Sequence, residues 1–493
     1  MRLLEACLMI AIALGLLALF MPKGPAHRWV RPALLSVPIL ALIQLGFEGA
    51  RWQLIPAYAL ALGLGAVGWR LAPGPDGQRV SRVRQWLGGA TTLIPFVLAV
   101  ALPIALPVFS FPKPTGPYAL GTVTYAWQDA RRAELFTSDP NDRREIMAQV
   151  WYPALAEPAA PRAPYLPDAD AITPQMSQLF HAPAFLLAHL RYVTTHAVEA
   201  APIAGDQATF PVLIYLSGLG GGRQLSLFQI EELVSHGYIV VGLDQPGAAS
   251  AVRFPDGRVI PGLGRDLDPL IDQSGAPRSP APTLAGQGMP DGIIPYLAQD
   301  ASYALDQLAQ LNTSDPQHVL AGHLNLKQVG LFGISLGAIV GSQVCAQDAR
   351  FKACLMMDAF VTADALRLGL QQPAFWITRP AETMRLERAR SGGWTEDDIA
   401  ITRDTMRAAY QTSSFESYFL EMPTMFHVNF TDAPLFSPFM TQLGLIGPID
   451  PQRGFDIVNA YSVAFFDKAL QGKPAAVLEG QAFSEAHLES RRP

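Results

Sequence analysis

The chain has 493 residues and a formal net charge of -6 at neutral pH. That is length for one large or two ordinary domains, with no basic face to offer nucleic acid. Half of the residues are hydrophobic and the mean hydropathy is +0.20, high for a water-soluble enzyme, so part of the chain is expected in a membrane.

Four apolar segments precede residue 112, at about 3–20, 33–47, 54–69 and 87–109. They predict about four transmembrane helices, the second and third forming a hairpin over Glu48 and Arg51. A cleaved signal peptide fits poorly, because Glu5 follows Arg2, no small-x-small site is evident, and further apolar segments follow. Lys23, Arg28 and Arg31 fall in the first loop, Arg51 alone in the second, and Arg70, Arg79, Arg82 and Arg84 in the third. The positive-inside rule then puts loops one and three in the cytoplasm. With four spans, both termini face outward, as in a multi-pass protein of a bacterial inner membrane whose large domain is extracytoplasmic. The membrane region is thus expected over 1–111 and a proline-rich linker over 112–117, ahead of a soluble domain at 118–471 and a polar tail at 472–493.

The soluble domain opens with β-type alternation at 121–125 and 144–152, separated by a turn-rich stretch, and reads as an antiparallel pair at a sheet edge. Residues 154–205 are irregular, with one helical piece near 175–191. The run 210–215 is continuously apolar, the mark of a strand buried on both faces, and ends in the glycine-rich loop from Ser217 to Gly222. A helix at 228–236 and a second buried strand at 237–244 complete the strand-loop-helix-strand rhythm of a parallel sheet. No GK[ST] follows the loop, so phosphate binding is disfavoured. Residues 248–296 break the rhythm and read as an insertion across the carboxyl edge of the sheet, either shaping a substrate entrance or serving as unstructured surface filler. An amphipathic helix over 299–311 then leads on.

Gly333-Ile334-Ser335-Leu336-Gly337 fits GxSxG, between a short buried strand at 327–332 and a helix at 338–347. A serine on so sharp a turn is presented at the start of a helix, whose N-terminus favours the negative charge of acyl transfer. Backbone amides of the earlier loop complete the chemistry: the N–H groups of Leu219 and Leu336 are assigned to the oxyanion hole. A serine nucleophile also needs a base, and the base a carboxylate to orient it. In the α/β-hydrolase order these follow as acid, then histidine. Asp358 ends the apolar strand at 353–357, where open parallel sheets place functional groups, with Asp364 as fallback. Among nine histidines only His427 and His487 follow the serine and acid. His487 lies in the polar tail, which leaves His427 as the base.

Cys7 falls in the first apolar segment, while Cys345 and Cys354 read as small buried hydrophobes. No CxxC or Cys/His cluster occurs, so neither a metal nor an organic cofactor is expected. The chain closes with an amphipathic helix at 457–470.

Over about 116–470 the chain resembles the platelet-activating-factor acetylhydrolase family, the plasma and intracellular type II enzymes. The likeness rests on Gly116-Pro-Tyr, Asp139-Pro-Asn-Asp-Arg-Arg-Glu145 before Trp151-Tyr-Pro153, Gly218-Leu-Gly220, Ser235-His-Gly-Tyr-Ile-Val-Val241, Leu305-Asp-Gln-Leu308 and GxSxG. It implies an α/β-hydrolase fold, a mostly parallel sheet with helices on both faces. It also implies a calcium-independent serine esterase that releases short or oxidised sn-2 acyl groups from phospholipid, with Ser335, Asp358 and His427 as triad. Three positions depart from the family pattern: Ser217 and Ile334 replace histidines, and Ala338 a glycine. Related bacterial members resemble general esterases, lipases or polyester hydrolases. A lipid or other small ester is therefore the expected partner, beside the membrane, with a catalytically inactive lipid-binding module as the alternative.

Overall fold

The computed structural model describes residues 1–20, 28–70, 82–137, 139–179 and 182–492. They form two compact units: Met1–Phe109 with Leu187–Tyr192 and Phe436–Phe439, and the rest of the chain from Ser110 onward.

The first unit contains helices α1 (Leu3–Ala18), α2 (Val30–Glu48), α3 (Ile55–Arg70) and α4 (Arg82–Ala105). Leu8, Ile12, Leu34, Val37 and Leu64 pack in its apolar core. The expected four spans are corrected here to two candidates: among the described residues only Val30–Glu48 and Trp52–Arg70 are long and apolar enough to cross a bilayer. Helix α1 has 16 residues, about 24 Å at 1.5 Å per residue against a hydrocarbon core of about 30 Å. In α4 the stretch Thr92–Ala105 is apolar among the residues whose side chains are described. Lys23 and Arg79, which contributed to the expected topology, lie outside the described residues. Glu5 is not left bare in this apolar setting, because Arg51 Nη2 lies 2.6 Å from its carboxylate and both side chains are buried.

The second unit is built on an 11-stranded sheet. Its strands, together with those of two small hairpins, are β1 (Ala119–Ala133), β2 (Arg143–Ala154), β3 (Arg162–Pro164), β4 (Thr194–Glu199), β5 (Phe210–Leu216), β6 (Ile239–Asp244), β7 (Ala251–Arg253), β8 (Val259–Pro261), β9 (Thr283–Leu284), β10 (Gln287–Gly288), β11 (Leu324–Ile334), β12 (Phe351–Met357), β13 (Ala374–Thr378), β14 (Ser417–Glu421) and β15 (His487–Arg491). The sheet order is β15-β14-β13-β12-β11-β5-β6-β2-β1-β4-β3. From β6 to β14 neighbouring strands run parallel, and β5 and β6 are buried along their whole length, as apolar runs covered on both faces must be. β1 and β2 pair antiparallel at the other side. This is an α/β-hydrolase fold.

Its described helices are α5 (Ala169–Leu179), α6 (Leu227–Ser235), α7 (Asp268–Gly275), α8 (Ile294–Thr313), α9 (Leu336–Gln347), α10 (Ala363–Leu368), α11 (Ala381–Ser391), α12 (Glu396–Thr412) and α13 (Pro451–Gln471). The helix expected near 175–191 lies instead at Ala169–Leu179, and three further segments differ from expectation. The stretch read as an insertion folds as the hairpins β7–β8 and β9–β10 around α7. Helix α8 begins five residues early, at Ile294, since Pro295 in a first turn sacrifices no helical hydrogen bond. The polar tail is not simply irregular: β15 adds antiparallel to β14, using the open backbone edge that any outermost strand presents.

Candidate active site

Ser335 sits between β11 and α9 with φ 56° and ψ -125°, a strained conformation for a residue with a side chain. The surrounding glycines are needed because the backbone is crowded. A Cβ on Gly337 would lie 2.0 Å from the Leu216 carbonyl oxygen, and one on Gly333 would lie 2.6 Å from the Gly337 carbonyl. The Ser335 amide donates to the Met357 carbonyl at 3.0 Å, tying the turn to the end of β12. Leu336 opens α9, so its N–H has no carbonyl one turn earlier to receive it and faces the positive end of the helix.

The loop after β5 packs against this serine: a Cβ on Gly218 would lie 3.2 Å from Ser335 Cβ and 3.7 Å from its Oγ. Gly218 to Gly221 form a tight turn in which Gly221 N–H donates to the Gly218 carbonyl at 2.9 Å, with Gly220 at φ +68°. Gly220 N–H is used by the Ala248 carbonyl at 2.8 Å, and Ser250 N–H donates back to Gly221 at 2.8 Å. The stretch that breaks the βαβ rhythm thus clamps the loop. Leu219 N–H is left, among the described residues, without an acceptor. Gly220, Ala249, Ser250 and Arg265, with Gln175 and Gln178, border a cavity of about 260 Å³ next to the loop.

Asp358 follows β12 at φ 50°, its N–H held by the Ile377 carbonyl at 2.7 Å. Ile334 and Met357 are register partners in β11 and β12, so Ser335 and Asp358 leave the sheet side by side. His427 opens the turn His427–Phe430 beyond β14 and its Nδ1 lies 2.6 Å from Asp358 Oδ2. A carboxylate there accepts the Nδ1 proton and leaves Nε2 as the basic nitrogen. No hydrogen bond joins Ser335 Oγ to this imidazole.

Asp358 has partners that sequence reading missed. Arg379, fully buried at the end of β13, donates from Nε to Asp358 Oδ2 at 2.9 Å, with Nη2 2.8 Å from the same oxygen. Thr378 Oγ1 donates to Asp358 Oδ1 at 3.0 Å. Arg379 Nη1 also pairs with Glu387 on α11, and Glu387 Oε2 accepts the His427 backbone N–H at 3.1 Å. Trp394 lies over the Arg379 guanidinium at 4.8 Å and meets the His427 ring edge-to-face at 5.2 Å. Burial alone pushes the Asp358 carboxyl up, but the Arg379 charge and the His427 hydrogen bond outweigh it and hold it well below the usual carboxylate range.

Asp432 anchors the histidine turn from the other side. It accepts from Leu227 N at 2.9 Å, Phe228 N at 3.1 Å and Tyr165 Oη at 3.0 Å, so it caps α6, the helix that follows the glycine loop. The segment bearing His427 is thereby fastened to the segment bearing Leu219. Burial pushes the Asp432 carboxyl up to about 7, against those three donors.

The structure therefore brings Ser335, Leu219 and Leu336 together, and His427 with Asp358. It separates out the alternatives. Asp364 is a half-exposed residue in the first turn of α10, paired with Arg367 at 3.0 Å. His487 is exposed on β15. His196 and His236 pair with Glu231 and Glu232, while His181 lies outside the described residues. Cys345 and Cys354, read as buried hydrophobes, are buried and also joined by a disulfide between α9 and β12. No sequence signal separates a buried thiol from a bonded one across nine residues without strand register.

Fold and site together define a carboxylic ester hydrolase of the α/β type. Residues 105–253 and 307–476, more than half of the chain, match the family model of platelet-activating factor acetylhydrolase, isoform II, and the chain belongs to that family. The platelet-activating factor acetylhydrolase of Cavia porcellus is 23% identical over 375 residues, covering 73% of this chain and 78% of that protein. Among solved structures, a ferulic acid esterase from Streptomyces cinnamoneus is similar in fold, with a TM-score of 0.58 and 23% identity over 78% of this chain and 99% of its own. The unmatched gap in the family model, 254–306, contains most of the stretch read as an insertion.

Proposed function

We propose that the chain is a membrane-anchored serine esterase of the phospholipase type, releasing short or oxidised sn-2 acyl groups without calcium. The observation that carries the chemistry is Ser335 at φ 56° on the elbow, beside a buried Asp358–His427 pair. His427 Nε2 takes the Ser335 proton as Oγ attacks the ester carbonyl. The amides of Leu219 and Leu336 receive the oxyanion, and the alcohol leaves with the proton returned by the imidazolium. Water, activated by the same nitrogen, then frees the acid and regenerates the serine. Asp358 stays ionised throughout and holds the ring in the tautomer that exposes Nε2.

Family membership supports the substrate class, and the α2–α3 hairpin supports anchoring beside lipid. The Cys345–Cys354 disulfide supports an oxidising compartment and hence an extracytoplasmic hydrolase unit, whereas α2 and α3 spanning alone, with basic residues on both outer flanks, would leave it cytoplasmic by the positive-inside rule. A reporter fused after Lys113 that is active only in the cytoplasm would overturn the extracytoplasmic placement.

The test of the activity is Ser335→Ala in the full chain. Hydrolysis of p-nitrophenyl esters and labelling by a fluorophosphonate probe are both expected to disappear. Retained turnover refutes the reading, and a wild-type chain that never labels favours the inactive lipid-binding module. Competition of probe labelling by phospholipids, triglycerides and simple esters distinguishes a phospholipase from a general lipase or polyester hydrolase.

A further inference from the structure

We propose that Arg379 and Glu387 are positioning residues that bias the protonation of His427 in opposite directions while locking its geometry, a role that rests on Ser335, Asp358 and His427 being the reacting triad. Arg379 engages Asp358 Oδ2, the oxygen that receives the imidazole, and Glu387 holds the His427 backbone amide. Each charge therefore acts one contact away from the ring, and the two are paired with each other.

A buried arginine beside a triad carboxylate has a cost for catalysis. It offsets the negative field that stabilises the imidazolium formed when serine gives up its proton. Glu387 restores that field: Asp358, Arg379 and Glu387 together carry one net negative charge, the same as a lone aspartate. What the pair adds is rigidity. Arg379 holds the Asp358 Oδ2 oxygen through Nε, Glu387 fixes the start of the histidine turn, and Trp394 closes over both the guanidinium and the ring.

The other charged groups packed around this cluster are committed elsewhere. Arg403 of α12 donates to the Arg379 carbonyl at 2.6 Å and pairs with Glu421 at the end of β14 at 2.8 Å. Arg390 of α11 lies over the Phe426 ring at 5.9 Å, and Asp432 caps α6. Substituting Arg379 or Glu387 removes neither Arg403, Arg390 nor Asp432.

The experiment is the pH dependence of kcat/KM for p-nitrophenyl acetate, measured on the full-length protein for the wild type, Arg379→Gln, Glu387→Gln and the double variant. Removing the positive charge favours imidazolium, so Arg379→Gln is expected to move the acid limb about one pH unit higher. Glu387→Gln removes the negative charge and is expected to move it lower by a similar amount. The double variant returns near the wild-type limb with a reduced kcat, because the orientation is lost while the net charge is kept. Shifts in the same direction, or unmoved limbs in folded singles, overturn the proposal. Glu387→Gln keeps Arg379 paired with Asp358 and so remains decisive if Arg379→Gln does not fold. An active Ser335→Ala would sink the triad itself, an outcome separate from unmoved limbs.

Discussion

Of the buried carboxylates that hold the segment carrying His427, Asp358 and Asp432 are driven in opposite directions by their surroundings. Asp358 and Asp432 are both about 1% exposed or less. Asp358 meets a guanidinium and is held well down, whereas Asp432 meets two backbone amides and a phenol and is pushed up to about 7. Burial raises both, so the difference comes from the charge partner. A carboxylate that must stay ionised beside an imidazole has a cation, and one that only joins two loops does without.

The largest effect that can test this contrast is on Asp358. Asp358→Asn keeps the shape but allows the wrong imidazole tautomer, and kcat on a short-chain ester is expected to fall by about 10³ to 10⁴-fold. Asp432→Asn, which touches no reacting group, should leave kcat within about tenfold in the same assay. Equal losses in the two variants would erase the distinction.

The next effect is covalent. Only the Asp358 side is tied by a disulfide, which links α9, the helix starting after Ser335, to β12, the strand ending at Asp358. Closing a loop of nine residues' separation, the bond is worth about 2–3 kcal/mol. The Cys345→Ser/Cys354→Ser double variant should show that loss in denaturant unfolding. A midpoint unchanged from wild type would show the bond to be absent in the native protein.

The smallest effect is in the pH dependence of stability. Asp358 has a lowered carboxyl, so its stabilisation is present above about pH 4, the range where the unfolded carboxyl ionises, and fades as pH falls further. Asp432 has a raised one: its contribution is fullest below about pH 4 and declines as pH rises to about 7, because only the unfolded chain releases its proton in that window. Relative to wild type, Asp432→Asn should therefore gain roughly 2–4 °C in Tm between those two pH values. A Tm difference that stays flat over this range would remove the claim that Asp432 is held protonated.

The elbow turn and the glycine loop were legible because each depends on local backbone demands. Glycine is required where Leu216 crowds Gly337, and apolar runs mark the strands that end at Ser217, Ser335 and Asp358. The count of membrane helices was less legible, since apolar composition reports burial and does not by itself say whether a bilayer is crossed. Edge strand β15 was hidden for the converse reason. A strand exposed on the rim needs backbone partners and little hydrophobicity.

By itself, then, the sequence determined the family, the parallel sheet and the local backbone of the turns at Ser335, Leu219 and Leu336. Tertiary structure alone decided the long-range partnerships. It put Arg379 and Glu387 behind Asp358, Asp432 across from Tyr165 and α6, and Cys345 against Cys354. The reason is physical: a turn or an apolar run is specified by neighbours along the chain. A buried charge pair is specified by which strand ends lie side by side, and that order exists only once the sheet has formed.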